Sequence, residues 1–226
     1  MTTIASNLLA IHGRMDAACR VAGRAPSEVR LLAVSKTFGV AQVEQAFAAG
    51  QTCFGENYIQ EAVEKIHALR HRVIEWHCIG PIQSNKTRLV AEHFDWVQSL
   101  DRLKIAQRLD EQRPAALAPL QVCIQVNTDG GATKAGVSPQ DLPALVDAVR
   151  RLPRLALRGL MTIPEPATDF AAATALHARA RQLFDALNAR GLALDTLSMG
   201  MSADLDAAIQ AGSTMVRVGS AIFGQR

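Results

Sequence analysis

Lys36 stands at the end of a short apolar run, Leu31-Leu32-Ala33-Val34, followed by Ser35 and, beyond it, Gly39. A continuous run of this kind is expected of a parallel strand covered on both faces. It would deliver one amine to its C-terminal end, partly desolvated at the mouth of an apolar sheet. Desolvation favours the neutral, nucleophilic form that Schiff-base chemistry needs. Two further stretches carry the residue types for holding an anion. Ser198-Met199-Gly200-Met201-Ser202 precedes a helix, and Val218-Gly219-Ser220-Ala221 ends the last apolar run. Small residues with free backbone amides at a helix start can cradle a phosphate. Arg217 lies in Met215-Val216-Arg217-Val218. If the two valines face outward, alternation turns Arg217 inward. A buried arginine needs an acceptor, either a ligand ring nitrogen or a buried carboxylate. An amine on one strand facing a phosphate site suggests a phosphorylated carbonyl compound, either a sugar phosphate or pyridoxal 5'-phosphate (PLP).

The elements that must position these residues follow a repeating pattern. Apolar runs begin near residues 31, 52, 73, 95, 120, 155, 194 and 214, and a helical periodicity separates each from the next. The expected helices span about 40–49, 58–69, 84–91, 101–112, 138–150, 170–190 and 203–211, with Asp101 as the cap of the fourth. Strict alternation of strand and helix implies parallel strands and right-handed crossovers. Eight such units predict a single (β/α)8 TIM-type barrel over residues 1–226. No full helix follows the eighth strand, so an N-terminal helix built on Ile4, Leu8, Leu9, Ile11 and Met15 is expected to complete the outer ring. An open doubly wound sheet is the alternative, but the first βα turn lacks GxGxxG. In a barrel the site lies at the C-terminal ends of the strands. Besides Lys36, that end should collect Asn57, His77 with Gly80, Ser99 with Asp101, Asn127, Thr162 and the two loops described above.

Composition narrows the partners. The chain has 226 residues, is 49% hydrophobic and carries a formal charge of +3. The charge is scattered, without a basic block or basic-aromatic stripe, which argues against nucleic acid. Cys19, Cys53, Cys78 and Cys123 form no CxxC and read as buried reduced thiols rather than disulfides or metal ligands. No signal peptide and no membrane-spanning run is apparent, so a soluble cytoplasmic protein is expected. No long exposed apolar stripe calls for a dimer, and a monomer is expected.

Several motifs in order resemble the pyridoxal phosphate homeostasis protein family. They are Ala33-Val-Ser-Lys36, Phe54-Gly-Glu-Asn-Tyr58, Trp76-His77 with Ile79-Gly80, Gln83-Ser-Asn-Lys86, Gln125-Val-Asn127, Gly159-Leu-Met161, Ser198-Met-Gly-Met-Ser-Ala-Asp204 and Val216-Arg-Val-Gly219. Cys78, Pro81 and Ala135 are small departures. The resemblance implies a barrel similar to the alanine racemase N-terminal domain, with PLP as cofactor. It implies that Lys36 forms the internal aldimine, that Ser202, Gly219 and Ser220 hold the phosphate, that Arg217 faces the pyridine nitrogen and that Asn57 lies near the cofactor. His77 and Met199 belong to the motifs without an assigned contact. The function implied is intracellular PLP homeostasis, with apo PLP-dependent enzymes as recipients and little catalysis. A racemase needs a base on each face of the cofactor plane. The second base of alanine racemase comes from another domain, which is not expected here, and Tyr58 is the only tyrosine. An arginine at the pyridine nitrogen also weakens the electron sink. Lys134, in the loop after the fifth strand, is a candidate secondary amine. Two alternatives are a PLP-dependent racemase with a substitute base and a sugar-phosphate isomerase using Lys36 and Glu165.

Overall fold

A computed structural model describes residues 3–130 and 135–224. Lys134, the candidate secondary amine, lies outside the described residues. Eight parallel strands close into a barrel in sequence order: β1 (Arg30–Val34), β2 (Cys53–Glu56), β3 (Glu75–Cys78), β4 (Trp96–Leu100), β5 (Leu120–Gln125), β6 (Leu155–Met161), β7 (Thr196–Met201) and β8 (Met215–Val218). Helices α2 (Val40–Ala48), α3 (Ile59–Ala68), α4 (Thr87–His93), α5 (Leu103–Gln112), α6 (Leu142–Val149), α7 (Phe170–Ala189) and α8 (Leu205–Gln210) alternate with them. After β8, among the described residues, there is only the four-residue α9 (Ser220–Phe223). The first helix, α1 (Ile4–Val21), packs against α8, α9 and α2, so it fills the eighth place in the ring. The expected (β/α)8 barrel is the observed fold.

The strands are apolar on both faces because both faces are covered. Leu31, Ala33, Phe54, Trp76, Val97, Val122, Ile124, Leu160, Leu197, Val216 and Val218 belong to the main core, the layer between strands and helices. The alternate positions Leu32, Cys53 and Met215 pack inside the barrel, as do Trp96, Cys123 and Met161. Burial of this apolar surface, at roughly 25 cal/mol per Å², is the main term holding the ring of strands to its helices. The four cysteines are all buried and free, as expected. No helix among the described residues is long and apolar enough to cross a membrane.

Three local expectations are corrected. Asp101 does not cap α5. The cap position is Arg102, in extended conformation and without a side-chain bond, and Asp101 pairs with the Arg102 guanidinium at 3.3 Å instead. Helix α6 begins at Leu142 rather than Ser138, because the Ser138 hydroxyl accepts the Asp141 N–H at 3.1 Å and forms a separate turn. Strand β7 runs on to Met201, so Ser198 to Met201 is strand and not loop. The register between β7 and β8 shifts between Ser198 and Met201. Gly200 sits there at φ +92, and a Cβ on it would lie 2.3 Å from the Cβ of Ala208. Its glycine is a bulge residue that keeps the strand going, rather than a turn that ends it.

Candidate functional site

The C-terminal ends of β1, β2, β7 and β8 converge on one cavity of about 560 Å³. Its lining includes Lys36, Asn57, Ser202, Arg217, Gly219 and Ser220, so every residue singled out for cofactor binding meets there. Val34, Phe38, Ile79, Ile163 and Met201 supply apolar walls.

Lys36 follows the last residue of β1 and is half-buried. Among the described residues its amine makes no hydrogen bond or ion pair. Its backbone is held from both sides. Ser35 donates to Glu56 Oε1 at 2.6 Å, and Lys65 Nζ donates to the Ser35 carbonyl at 2.9 Å. Thr37, at φ 67, donates its N–H to Glu61 Oε1 at 2.7 Å. Lys65 joins the two carboxylates, with Nζ 2.7 Å from Glu56 and 2.6 Å from Glu61. Burial raises the Glu56 carboxyl above its ordinary range despite the bonds from Lys65 and Ser35.

Asn57 continues from β2 into the cavity. Its Oδ1 is buried and has no hydrogen-bond partner among the described residues. Gly80 makes room for it, since a Cβ there would lie 2.3 Å from the Asn57 carbonyl oxygen. A buried amide oxygen without a donor costs about 1–3 kcal/mol, which a ligand donor would recover.

Arg217 points inward from β8 and is only 4% exposed, as alternation required. Among the described residues its acceptors do not include a buried carboxylate, one of the two partners expected. Nη1 donates to Ser198 Oγ at 2.7 Å and Nη2 to the Thr162 carbonyl at 2.9 Å. Burial draws its pKa down to about 10, with the charge of Asp204 opposing, and it stays a cation at neutral pH.

Ser202, Gly219 and Ser220 face the cavity from the ends of β7 and β8, where barrels commonly hold phosphate. In the first loop Asp204 Oδ1 takes the Met201 N–H at 2.6 Å, and Asp204 Oδ2 lies 2.9 Å from His177 Nε2. The Ser202 turn is therefore fixed from behind. In α9 the Ile222 and Phe223 amides donate to the Gly219 carbonyl at 2.8 and 3.1 Å, and only the Ser220 and Ala221 amides at its start lack an acceptor within the helix.

Other expected mouth residues lie elsewhere. His77 is buried inside the barrel, 2.9 Å from Gln98 and 2.8 Å from Glu75, and stacks on Trp96. It faces inward because Trp76 and Cys78 take the outward positions of β3. Met199 packs outward in the main core. Ser99 donates to the Gly80 carbonyl at 2.6 Å, which ties down the turn beside Asn57. Glu165 is exposed and does not line the cavity. Tyr58 is 55% exposed and does not line it either.

Comparison with known proteins decides the family. The pyridoxal phosphate homeostasis protein of Pseudomonas aeruginosa is 59% identical over 226 residues, covering 100% of this chain and 97% of that protein. Its Escherichia coli K12 counterpart is 50% identical, covering 100% and 98%. This chain belongs to the pyridoxal phosphate homeostasis protein family. A family model described as "Alanine racemase, N-terminal domain" matches residues 7–226 of this chain. PipY of Synechococcus elongatus PCC7942, solved with PLP bound, is 38% identical with a TM-score of 0.83, covering 98% of this chain and 100% of PipY. Alanine racemase of Clostridium difficile 630 is 14% identical with a TM-score of 0.79, and this chain covers 57% of it. That likeness concerns the barrel alone.

The sequence motifs of the homeostasis family marked the cavity residues but not those behind them. Glu61 and Lys65 stand four residues apart, a spacing that signals a helix ion pair. Nothing in the sequence showed that this pair reaches the backbone on either side of Lys36.

Proposed function

We propose that this chain binds PLP in the cavity at the C-terminal end of the barrel, holds it through Lys36, and stores it or hands it to other proteins. The observation that carries this reading is the meeting of an unpaired amine, a buried donor-only arginine and two serine-bearing loops in one cavity. PipY, bound to PLP, has the same fold over nearly its whole length.

The residues present suit the group. Asn57 Oδ1 is a buried acceptor with no partner among the described residues. Lys36 would hold the cofactor's carbonyl carbon, Ser202, Gly219 and Ser220 its phosphate, and Asn57 its polar ring substituents. Arg217 can only donate, so it would keep the ring nitrogen opposite it unprotonated. When bound, PLP offers a carbon that one primary amine can yield to another, and this is the chemistry of delivery. The Lys65–Glu56–Glu61 group serves by orienting the Lys36 backbone, and the apolar walls serve by excluding water.

Storage or delivery, rather than amino-acid turnover, is supported by two features of the site. Among the described lining residues the only cations are Lys36 and Arg217, which leaves an amino-acid carboxylate without a dedicated partner. Tyr58 is not among the lining residues, which counts against its serving as a second base. The recipients would be apo forms of PLP-dependent enzymes, and the chain would serve them as a cytoplasmic monomer.

The test is the visible spectrum of the protein with PLP, followed by borohydride reduction and peptide mapping. A yellow protein carrying a pyridoxyl group on Lys36 is expected. A colourless protein, or an adduct confined to other lysines, overturns the reading. Transfer of PLP to an apoenzyme without α-proton exchange of amino acids in D2O separates delivery from racemisation.

A further inference from the structure

Arg217 carries its charge into the middle of the barrel, yet no carboxylate among the described residues hydrogen-bonds to it. What meets it is a chain of side chains. Arg217 Nη1 lies 2.7 Å from Ser198 Oγ, and Ser198 Oγ lies 2.6 Å from Gln98 Oε1. Gln98 Nε2 is 2.9 Å from His77 Nδ1, and His77 Nε2 is 2.8 Å from Glu75 Oε1. The chain crosses from β8 through β7 and β4 to β3, from the cavity to the opposite end of the barrel.

Its direction is fixed at both ends. A guanidinium can only donate, and an ionised carboxylate can only accept. Ser198 accepts from Arg217, so its own hydrogen goes to the Gln98 carbonyl. The Gln98 amide then donates to His77 Nδ1, which places the ring proton on Nε2, and that proton goes to Glu75. Arg30 Nη2, 2.8 Å from the same Glu75 oxygen, holds the far end as an anion. Trp96 stacks on the His77 ring at 5.1 Å and keeps it in plane.

We infer that Glu75, His77 and Gln98 are positioning residues for Arg217, aligning its guanidinium through a one-way hydrogen-bond chain that starts at a carboxylate on the far side of the barrel. Hydrogen bonds in such a chain polarise one another in a low-dielectric interior. A buried cation without a direct ion pair depends on dipoles aligned in this way. The inference rests on the proposed PLP site in one respect, that Arg217 is the residue facing the cofactor ring. The chain of contacts does not depend on what fills the cavity.

If these side chains only filled the barrel, cutting the chain would lower stability and leave Arg217 alone. Two variants separate the cases: Glu75→Gln at the partly exposed end, and Gln98→Met in the middle. The first readout needs no cofactor. Nitrogen-15 NMR of the wild type should show a neutral His77 with its proton on Nε2, together with slowly exchanging Arg217 side-chain N–H groups. In both variants that exchange should quicken by about tenfold, the equivalent of one net hydrogen bond. The second readout is the visible band with PLP, which should move in both variants in the same direction as in Arg217→Lys. Unchanged exchange and an unchanged band, with only a lower denaturation midpoint, overturn the inference. A wild type that takes up no PLP defeats the cofactor reading instead and leaves the NMR comparison to decide this one. If Glu75→Gln does not fold, Gln98→Met decides alone.

Discussion

The Lys65 ammonium donates to the carbonyl of Ser35 at 2.9 Å, one residue ahead of the amine-bearing Lys36. The same group binds Glu61, which takes the N–H of Thr37, one residue beyond. A single buried cation thus fixes the chain on both sides of Lys36. Thr37 at φ 67 is a β-branched residue in the left-handed region, which costs about 1–2 kcal/mol. The bonds to Glu61 and Lys65 offset that cost and hold the amine at the cavity.

Lys65→Met should therefore be severe. It leaves Glu56, fully buried, without its countercharge. Removing one member of a buried pair costs about 3–5 kcal/mol. A matching drop in urea unfolding free energy is expected, with slower PLP uptake at Lys36. Adding Glu56→Gln should recover part of the stability. A single variant as stable as wild type would show that the pair holds nothing.

Acid should weaken the fold through the far end of the barrel. Burial, opposed by Glu75, holds His77 below its ordinary 6.5. The unfolded chain then takes up that proton first, so the His77 contribution is complete above about 6.5 and is lost as pH falls through the folded value. For Glu75, burial pushes upward, but the hydrogen bond from His77 and the charge and hydrogen bond of Arg30 win and bring it from 4.5 to about 2. Its contribution is present above 4.5 and is lost as pH falls toward 2. Glu56, raised by burial, works in the opposite sense. Comparing wild type with Glu75→Gln isolates one carboxyl. The difference in unfolding free energy should be largest above pH 4.5 and shrink below it. A difference independent of pH would contradict the assignment.

The barrel was legible because each strand is a short apolar run and each helix begins after a clear break. The cavity residues were legible because they stand at strand ends, where a parallel barrel gathers its chemistry. The contacts behind them were hidden by distance along the chain. Ser198 and Gln98 are 100 residues apart, and each alone reads as an ordinary polar strand residue. His77 was expected at the mouth because its motif neighbours are there, but the alternation of β3 sends it inward. Gly200 misled for another reason, since a glycine in a bulge has the same sequence signature as one in a turn.

Gly80→Ala tests how tightly Asn57 is held. The added Cβ would fall 2.3 Å from the Asn57 carbonyl oxygen and 2.7 Å from its Cα, both backbone atoms that cannot rotate aside. Overpacking of this kind costs roughly 1–3 kcal/mol. Asn57 should shift, and PLP affinity should fall together with stability. A variant that loses stability but keeps the wild-type Kd would remove Asn57 from the site.

The two serines proposed to hold the phosphate give the sharpest test of how the cavity divides its work. Ser202 lines it just beyond the end of β7, and Ser220 lines it from the start of α9, after β8. A hydrogen bond to a charged group contributes about 1.5–3 kcal/mol, so Ser202→Ala and Ser220→Ala should each weaken PLP binding by roughly tenfold or more. Pyridoxal, which has no phosphate, should bind the variants and the wild type equally. The paired titrations, followed in the visible band, read the loops independently of Lys36. Equal losses for both ligands would mean that the serines shape the cavity without meeting the phosphate, and the phosphate would then have to be assigned to other donors at the barrel mouth.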